Sequence, residues 1–262
     1  MGKFDLSSIK KGVENRPPRM ILLGSAKVGK STVAGQAPNP IFLPIKGEEG
    51  IDALDVSKFP VAETYDDVKE AIRTLIEEEH DFQTLVIDSS SALEPLIWKR
   101  VCEEAKVDSI EKVGGGYGKG YTEAVNKWQF LAAGLDAIRE KGIATIIIGH
   151  ISTGTFNDPM TDSYTRYAWD INQKAASLMY RWADCILFAN TKTYTKSEEG
   201  GFNKKEVKAT SSGTRYLYTQ ERPTHPGGGR GVFGQLPYEI ELSYDAWYKA
   251  VLAEASKKQA GE

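Results

Sequence analysis

The chain has 262 residues, of which 40% are hydrophobic and 26% are charged, and this balance is typical of one large α/β domain or two small ones. Its net charge of −3 argues against DNA binding through bulk positive charge, but not against a local binding strip. Only two cysteines are present, without metal-ligand spacing, and no transmembrane run or signal-peptide core is found, so we expect a cytoplasmic protein without membrane association.

In chain order, a polar arm over residues 1–19 leads into alternating strands and helices. Five short apolar runs predict strands at "MILL" (20–23), "PIFLPI" (40–45), "TLVID" (84–88), "IATIIIGH" (143–150) and "CILFAN" (185–190). The run "IATIIIGH" is typical of a central strand of a parallel sheet that is covered on both faces. The segments between them have helical periodicity and predict helices from residue 30 to before Pro38, at 64–81, from 89 through Trp98, before Gly142, and at 171–182. Thr64 and Asp67 form a candidate capping box.

The remaining segments have a different composition. A glycine-rich loop is predicted at 113–121, and a polar loop with several aromatic residues at 151–169. From about residue 191 the sequence is β-prone, with Gly200-Gly201 as a hairpin signal, and a final helix is predicted from Tyr244 to about Lys257. The predicted fold is an α/β core over 20–242, mostly a parallel sheet flanked by helices with a C-terminal antiparallel β extension, followed by a helix and tail at 243–262.

The stretch "GSAKVGKST" contains a full P-loop, because Gly24 is followed after four residues by Gly29, Lys30 and Ser31. Glycines let several backbone N–H groups point at phosphate oxygens, and Lys30 is placed to reach the β- and γ-phosphates. The predicted ATP-binding residues are therefore Gly24, Ser25, Ala26, Lys27, Val28, Gly29, Lys30, Ser31 and Thr32.

Acidic or titratable residues at the ends of three predicted strands complete the predicted catalytic site. Asp88 ends the strand "TLVID" in the Walker B position, and together with Ser31 it is the predicted Mg²⁺ ligand. Glu48 and Glu49 follow the second strand, where a carboxylate can activate water. His150 ends the strand "IATIIIGH" on the same edge, where it can contact the γ-phosphate.

The order of these motifs resembles the RecA-type ATPase core, and more closely the phage-encoded RecA-like ATPases grouped with single-strand annealing and recombination proteins. The stretches "IFLPIKGEEGIDAL", "TLVIDSSSALEPLIW", "GYGKGY" and "ERPTHPGGGRGVFGQLP" carry the likeness, which covers about residues 18–242. The resemblance implies a DNA-stimulated ATPase that uses ATP and Mg²⁺, forms a homo-oligomeric filament or ring, binds single-stranded DNA, and works with a single-strand-binding protein.

The resemblance also assigns individual roles. Its register makes Glu48 rather than Glu49 the catalytic glutamate, and it makes His150 the sensor that links the γ-phosphate to the following loop. The group typically has Ala-Lys-Asn-Arg near the C-terminal end, where this sequence reads Gly-Gly-Gly-Arg. Only Arg230 is left as a cation that acts on a neighbouring subunit's nucleotide, and from this departure we expect slow ATP turnover.

By this resemblance, the segments around 109–121 and 151–169 fall where RecA-type proteins keep their two DNA-facing loops. Aromatic residues with interspersed cations suit stacking on unpaired bases, and the predicted DNA-binding residues are Tyr117, Lys119, Tyr121, Phe156, Tyr164, Arg166, Tyr167 and Trp169. An alternative is packing of the second-loop aromatics onto the core. Two other functions stay open: a P-loop ATPase switch that acts on a protein partner, such as a helicase loader or replication regulator, and a small-molecule kinase.

Overall fold

The structure is a computed structural model that describes residues 5–9, 11–12, 14–48, 50–200 and 204–260, with the backbone alone for 195–200, 204–209 and 258–260. Its strands are β1 (Arg19–Gly24), β2 (Pro40–Pro44), β3 (Ser57–Lys58), β4 (Thr84–Asp88), β5 (Ala144–Gly149), β6 (Ile151–Phe156), β7 (Tyr164–Trp169), β8 (Cys185–Gly200), β9 (Lys204–Tyr218), β10 (Gly228–Gly229) and β11 (Glu239–Glu241). Its α-helices are α1 (Lys30–Gly35), α2 (Tyr65–Glu77), α3 (Ser90–Ala105), α4 (Lys119–Glu140), α5 (Gln173–Trp182) and α6 (Tyr244–Ala260).

The main sheet has the strand order β3-β2-β4-β5-β1-β8-β9-β11, with β10 paired to β8. Every pairing from β3 to β8 is parallel, whereas β9, β10 and β11 pair antiparallel to their neighbours. The P-loop strand β1 is therefore central, and β5 lies between it and β4. This arrangement confirms the predicted fold class, a mostly parallel RecA-like core with a C-terminal antiparallel extension.

Both faces of the sheet are covered, which explains the continuous apolar runs of its central strands. Along β1, Ile21 and Leu23 face the core formed with α2, α3, α4 and α5, while Met20 and Leu22 face the core formed with α1 and α6. Trp128 is the largest fully buried side chain on the first face. Within the part of the chain that the structure describes, no helix combines the length and the apolar character needed to cross a membrane.

Helix α2 begins where the sequence predicts. Thr64 accepts a hydrogen bond from the Asp67 backbone N–H at 3.1 Å, and the Asp67 carboxylate accepts one from the Thr64 N–H at 2.8 Å. This reciprocal pair is the predicted capping box, and it satisfies two backbone donors that have no partner within the helix.

The prediction of a polar loop at 151–169 is wrong in part, because β6 and β7 form a two-stranded antiparallel hairpin within this segment. Its strands "ISTGTF" and "YTRYAW" contain many β-branched and aromatic residues, and their alternation becomes visible only once the two strands are paired. The predicted glycine-rich loop is also shorter than expected. Helix α4 begins at Lys119, after Gly118 with φ of +74°.

The predicted C-terminal extension is continuous with the core. Strand β8 pairs with β1 as far as Ala189 and then continues beyond the parallel sheet as one arm of the β8–β9 hairpin. Gly201, half of the predicted hairpin signal, lies outside the described residues. Helix α6 buries Trp247 in a stack on Phe233, with ring centroids 5.9 Å apart, so the C-terminal helix packs on the core. The domain boundaries at 19 and 243 stay predictions.

Glu94 is a buried acid that predicts a pH dependence of stability. Both of its carboxylate oxygens lie within 2.9 Å of the Asn172 backbone N–H, and burial raises its pKa to about 7 even though this N–H favours the charged form. In the unfolded chain this carboxyl has its ordinary pKa of 4.5. Between pH 4.5 and pH 7 the folded state therefore binds a proton that the unfolded state has lost, and the free energy of unfolding falls as the pH rises.

Between pH 5 and pH 7 we expect the free energy of unfolding of the wild-type protein to fall by about 2 kcal/mol more than that of Glu94→Gln, which has no carboxyl group to titrate at this position. Thermal unfolding of both proteins at the two pH values measures the difference. Glu103→Gln, at an exposed position of the same helix, is the matched control and should behave like wild type. An equal loss in the wild-type and Glu94→Gln proteins would contradict the prediction.

Candidate functional site

The P-loop connects the centre of the sheet to helix α1. Gly29 precedes the helix with φ of +112°, a backbone conformation that side chains other than glycine rarely adopt. A Cβ on Gly24 would lie 2.5 Å from the Ala189 carbonyl oxygen, so the loop begins in close contact with β8. Both glycines of the motif are thus required by the local geometry as well as by phosphate binding.

The predicted phosphate-binding lysine is buried inside this loop. The Lys30 ammonium donates hydrogen bonds to the carbonyl oxygens of Gly24 at 3.0 Å and Ser25 at 2.8 Å. Burial lowers the pKa of Lys30, although the carboxylates of Asp88 and Glu48 oppose this effect. The side chain therefore lies among the backbone groups that the motif predicts as a phosphate cradle.

Ser31 and Asp88, predicted to hold Mg²⁺, are in direct contact. The Ser31 hydroxyl donates to Asp88 Oδ2 at 2.7 Å, across the intervening strand β5. Burial raises the pKa of Asp88, and the Ser31 hydrogen bond partly offsets this because it favours the charged form. A hydroxyl and a carboxylate beside a phosphate cradle are the oxygen ligands that Mg²⁺ prefers, so the donor set fits this ion.

The predicted catalytic acid and the predicted sensor are brought together. His150 Nε2 lies 2.7 Å from Glu48 Oε1, and the Ser89 hydroxyl donates to the same oxygen at 3.2 Å. Both side chains are about one-quarter exposed, at 24% for His150 and 29% for Glu48. The acid is therefore held by two donors at the carboxyl ends of the strands. Glu49, the alternative acid, lies outside the described residues.

The serines that follow Asp88 were not singled out by the sequence reasoning, yet all three connect parts of the site. Ser89 contacts Glu48, Ser90 donates to the Ile148 carbonyl oxygen at 2.9 Å, and Ser91 accepts a hydrogen bond from the His150 N–H at 3.1 Å. The sequence feature that could have indicated these residues is the "SSS" run directly after the Walker B aspartate.

A second residue that sequence reasoning missed is Arg215. It lies near the end of β9, and its guanidinium donates to the Val28 carbonyl oxygen in the P-loop at 3.2 Å. No motif marks this arginine, because only the pairing of β9 with β8 brings it next to a loop 187 residues earlier in the chain.

Arg230, the predicted trans-acting cation, lies at the other edge of the sheet. Strand β10 pairs with the first residues of β8, whereas the P-loop adjoins Ala189 further along that strand. The Arg230 guanidinium lies 3.8 Å from Asp184 and also donates to the Arg181 carbonyl oxygen. It does not reach the P-loop of its own chain, and its action on a neighbouring subunit stays a prediction.

The three predicted DNA contacts around the glycine-rich loop have different environments. Tyr117 is fully exposed and has φ of +56°. Lys119 is the first residue of α4 and donates to the Gly114 carbonyl oxygen at 2.9 Å. Tyr121 packs edge-on against Trp98, with ring centroids 5.4 Å apart. Tyr121 is therefore partly occupied by packing rather than presented to solvent.

The β6–β7 hairpin separates its predicted DNA contacts onto two faces. Phe156 and Tyr164 face each other with ring centroids 5.5 Å apart, and the Arg166 guanidinium lies 5.0 Å above the Phe156 ring. These three side chains form an aromatic–cationic group at the turn end of the hairpin, which we call the hairpin cluster.

The other face of β7 packs inward, so two predicted DNA contacts need correction. Tyr167 packs on Phe188, with ring centroids 5.3 Å apart. Trp169 is only 3% exposed, and its indole N–H donates to Ser90 at 3.0 Å. In this conformation Trp169 cannot stack on a base because the core already covers it, and Tyr167 is partly covered for the same reason.

With this geometry established, comparison with known proteins identifies the family. A family described as an AAA domain matches residues 16–231. The chain belongs to this AAA domain family. It is also 23% identical over 149 residues to the SPbeta prophage-derived protein YorG of Bacillus subtilis (strain 168), over 55% of this chain and 44% of YorG. The chain thus spans less than half the length of this curated relative.

Two archaeal structures are similar in overall arrangement. The flagellar accessory protein FlaH from Methanocaldococcus jannaschii aligns with a TM-score of 0.41 and 11% identity, over 86% of this chain and 84% of FlaH. The KaiC-like protein PH0186 from Pyrococcus horikoshii OT3 aligns with a TM-score of 0.39 and 12% identity, over 82% of this chain and 84% of that protein. These are distant similarities, and the fold class follows from the chain's own strand order and P-loop.

The site predicts separable effects for Glu48 and Lys30. We expect Glu48→Gln to keep ATP binding and to lower the rate of ATP hydrolysis by about 100-fold, because the amide fills the same space but cannot accept a proton from water. Lys30→Ala should instead abolish binding. Binding is measured by calorimetry and turnover by phosphate release, and Glu49→Gln should have the smaller effect. Near-normal turnover in folded Glu48→Gln would remove Glu48 from the catalytic role.

Proposed function

We propose that this protein is a MgATP-dependent ATPase, encoded by a phage or prophage, that binds single-stranded DNA and promotes strand annealing or recombination. Membership in the AAA domain family and the P-loop geometry support nucleotide hydrolysis, and the YorG relative supports the prophage origin. The observation that carries the proposal is the contact between Glu48 and His150 directly before the β6–β7 hairpin.

The proposed hydrolytic step uses residues at the carboxyl ends of the strands. The P-loop amides and Lys30 bind the phosphates, and Ser31 with Asp88 would hold Mg²⁺, which neutralises phosphate charge when bound. Glu48 accepts the proton of the attacking water, and protonation of the carboxylate weakens its hydrogen bond to His150.

His150 couples this step to the hairpin. It is followed immediately by β6, and its backbone N–H is fixed by Ser91 on α3. We expect a change in its side-chain partner to shift Ile151, the first residue of the hairpin. Nucleotide and DNA binding are linked only if the two nucleotide states differ in DNA affinity.

The hairpin cluster supplies the proposed DNA surface. Phe156 and Tyr164 offer ring faces to unpaired bases, and Arg166 offers a cation. Duplex bases are already stacked on one another, so an aromatic surface gains more from single strands. The net charge of −3 implies few phosphate contacts and a moderate salt dependence.

One observation favours the alternative of an ATPase switch that acts on a protein partner. Arg166 donates to Glu221 at 3.1 Å, so its charge is already partly neutralised within the chain. With Tyr167 and Trp169 packed inward, the hairpin cluster is small for a DNA surface and is also suited to an acidic or aromatic protein segment.

The two functions differ in DNA affinity. We expect ATP-dependent binding of a labelled single-stranded oligonucleotide, preferred over duplex, and a loss of roughly tenfold or more in Phe156→Ala with Tyr164→Ala. Tyr248→Ala, at an exposed tyrosine on α6, is the matched control. His150→Ala should make the affinity independent of nucleotide. Anisotropy measures all of these, and absence of binding at low salt in every nucleotide state would favour the protein-partner function.

The proposed homo-oligomer makes a prediction for Arg230. We expect Arg230→Ala to lower turnover without loss of ATP binding, because a cation from the neighbouring subunit stabilises charge on the transferred phosphate. Mixing Arg230→Ala with Lys30→Ala should restore part of the phosphate release, since the Lys30→Ala subunit still supplies Arg230. Mixing Glu48→Gln with Lys30→Ala is the control, and it should restore nothing. No recovery in the first mixture would contradict action in trans.

A further inference from the structure

A cavity of about 340 Å³ continues from the P-loop toward the antiparallel side of the sheet. Its walls include Thr32 from the phosphate motif, Thr214 and Arg215 from β9, and Glu241 and Leu242 from the end of β11. The volume is at the lower end of the range for small-molecule sites, roughly 300–1,000 Å³. The cavity adjoins the phosphate site but lies outside its sequence motif.

The position of the catalytic residues fixes the direction in which a bound nucleotide must extend. Asp88, Glu48 and His150 all lie on the side of the P-loop that faces β4 and β5. The terminal phosphate must be on that side, so the nucleoside must leave the loop on the opposite side, toward β8 and β9. The cavity is on that opposite side.

Two side chains approach the P-loop from that side. A Cβ placed on Gly29 would lie 3.3 Å from Leu242 Cδ2 and 3.6 Å from Arg215 Nη1. The Arg215 guanidinium is oriented by its hydrogen bond to the Val28 carbonyl oxygen. The backbone carbonyl oxygen of Arg215 accepts a hydrogen bond from the Leu242 N–H at 3.4 Å. The cavity walls are thus tied both to the P-loop and to each other.

A bulge in β9 places these residues beside the P-loop. Thr191 pairs with Arg215 and Thr193 pairs with Ser211, so one residue of β8 faces three residues of β9. Gly213, in the middle of the three, has φ of +76° and so favours glycine. Bulges commonly redirect side chains next to active sites, and this one turns the end of β9 toward the cavity.

We propose that this cavity binds the nucleoside end of the nucleotide, with Arg215 and Leu242 against the faces of the base. This inference rests on the proposed nucleotide binding. A planar guanidinium stacks on aromatic rings, and Leu242 provides an apolar surface. The hydroxyls of Thr32 and Thr214 and the carboxylate of Glu241 are suited to the ribose hydroxyls and to N–H donors on the base.

The test compares MgATP with magnesium tripolyphosphate, which has the same phosphate chain and no nucleoside. Calorimetry should show that the wild-type protein binds ATP more tightly than tripolyphosphate. Arg215→Ala should lower ATP affinity about tenfold and leave tripolyphosphate affinity within twofold. Thr214→Trp, which fills the cavity from an exposed position, should have the same selective effect. Arg73→Ala, an exposed arginine on α2, is the matched control and should change neither affinity.

The outcomes separate this inference from the proposed function. If the wild-type protein binds both ligands equally, or if folded Arg215→Ala and Thr214→Trp weaken both ligands to the same extent, the nucleoside assignment is overturned while phosphate binding stands. If the wild-type protein binds neither ligand, nucleotide binding itself is overturned. Circular dichroism confirms folding, and if Arg215→Ala does not fold, Thr214→Trp decides the question.

Discussion

The hydrogen bond between Ser31 and Asp88 is the contact around which the site is arranged. It connects the first turn of α1 to the end of β4, and it crosses β5 to do so. This contact requires β1, β5 and β4 to end at one edge in a fixed register, which the parallel ladder provides. Because parallel strands are stable only when both faces are covered, the site depends on the two cores.

The same burial determines the electrostatics. Lys30 and Asp88 are both nearly inaccessible to solvent, and burial lowers the pKa of the lysine and raises that of the aspartate. Each shift favours the neutral form, so the two groups gain from an added partner of opposite charge. Phosphate oxygens beside Lys30 and a cation beside Asp88 would supply these partners, which would couple the proposed binding of nucleotide and metal.

Local sequence patterns predicted the features that depend on local interactions. The central strands, the capping box at Thr64 and the P-loop are each encoded within a few residues, and the structure contains all of them. Glu48 and His150 were predicted to lie on one edge of the sheet, but their contact was not predicted. The distance between them depends on how β2 and β5 flank β4.

Features that depend on long-range pairing were beyond the sequence. The position of Arg215 is set by a bulge between β8 and β9, and the two faces of β7 could be assigned only after β6 was known to pair with it. The inward position of Trp169 has the same origin, since its partner Ser90 comes from helix α3, which is distant in sequence. Aromatic composition alone does not separate stacking residues from core residues.

The contacts of Arg230 bear on its proposed action on a neighbouring subunit. Its backbone N–H is fixed to the Asp184 carbonyl oxygen at 2.9 Å, whereas its side chain is 57% exposed and contacts Asp184 only at 3.8 Å. Asp184 already has closer partners, because Arg19 and Arg139 lie 2.9 Å and 3.0 Å from its carboxylate oxygens. A 3.8 Å contact from an exposed guanidinium to a carboxylate with two closer partners contributes little to stability. The guanidinium can therefore leave Asp184 without leaving a buried charge unpaired, while the backbone of β10 stays in place.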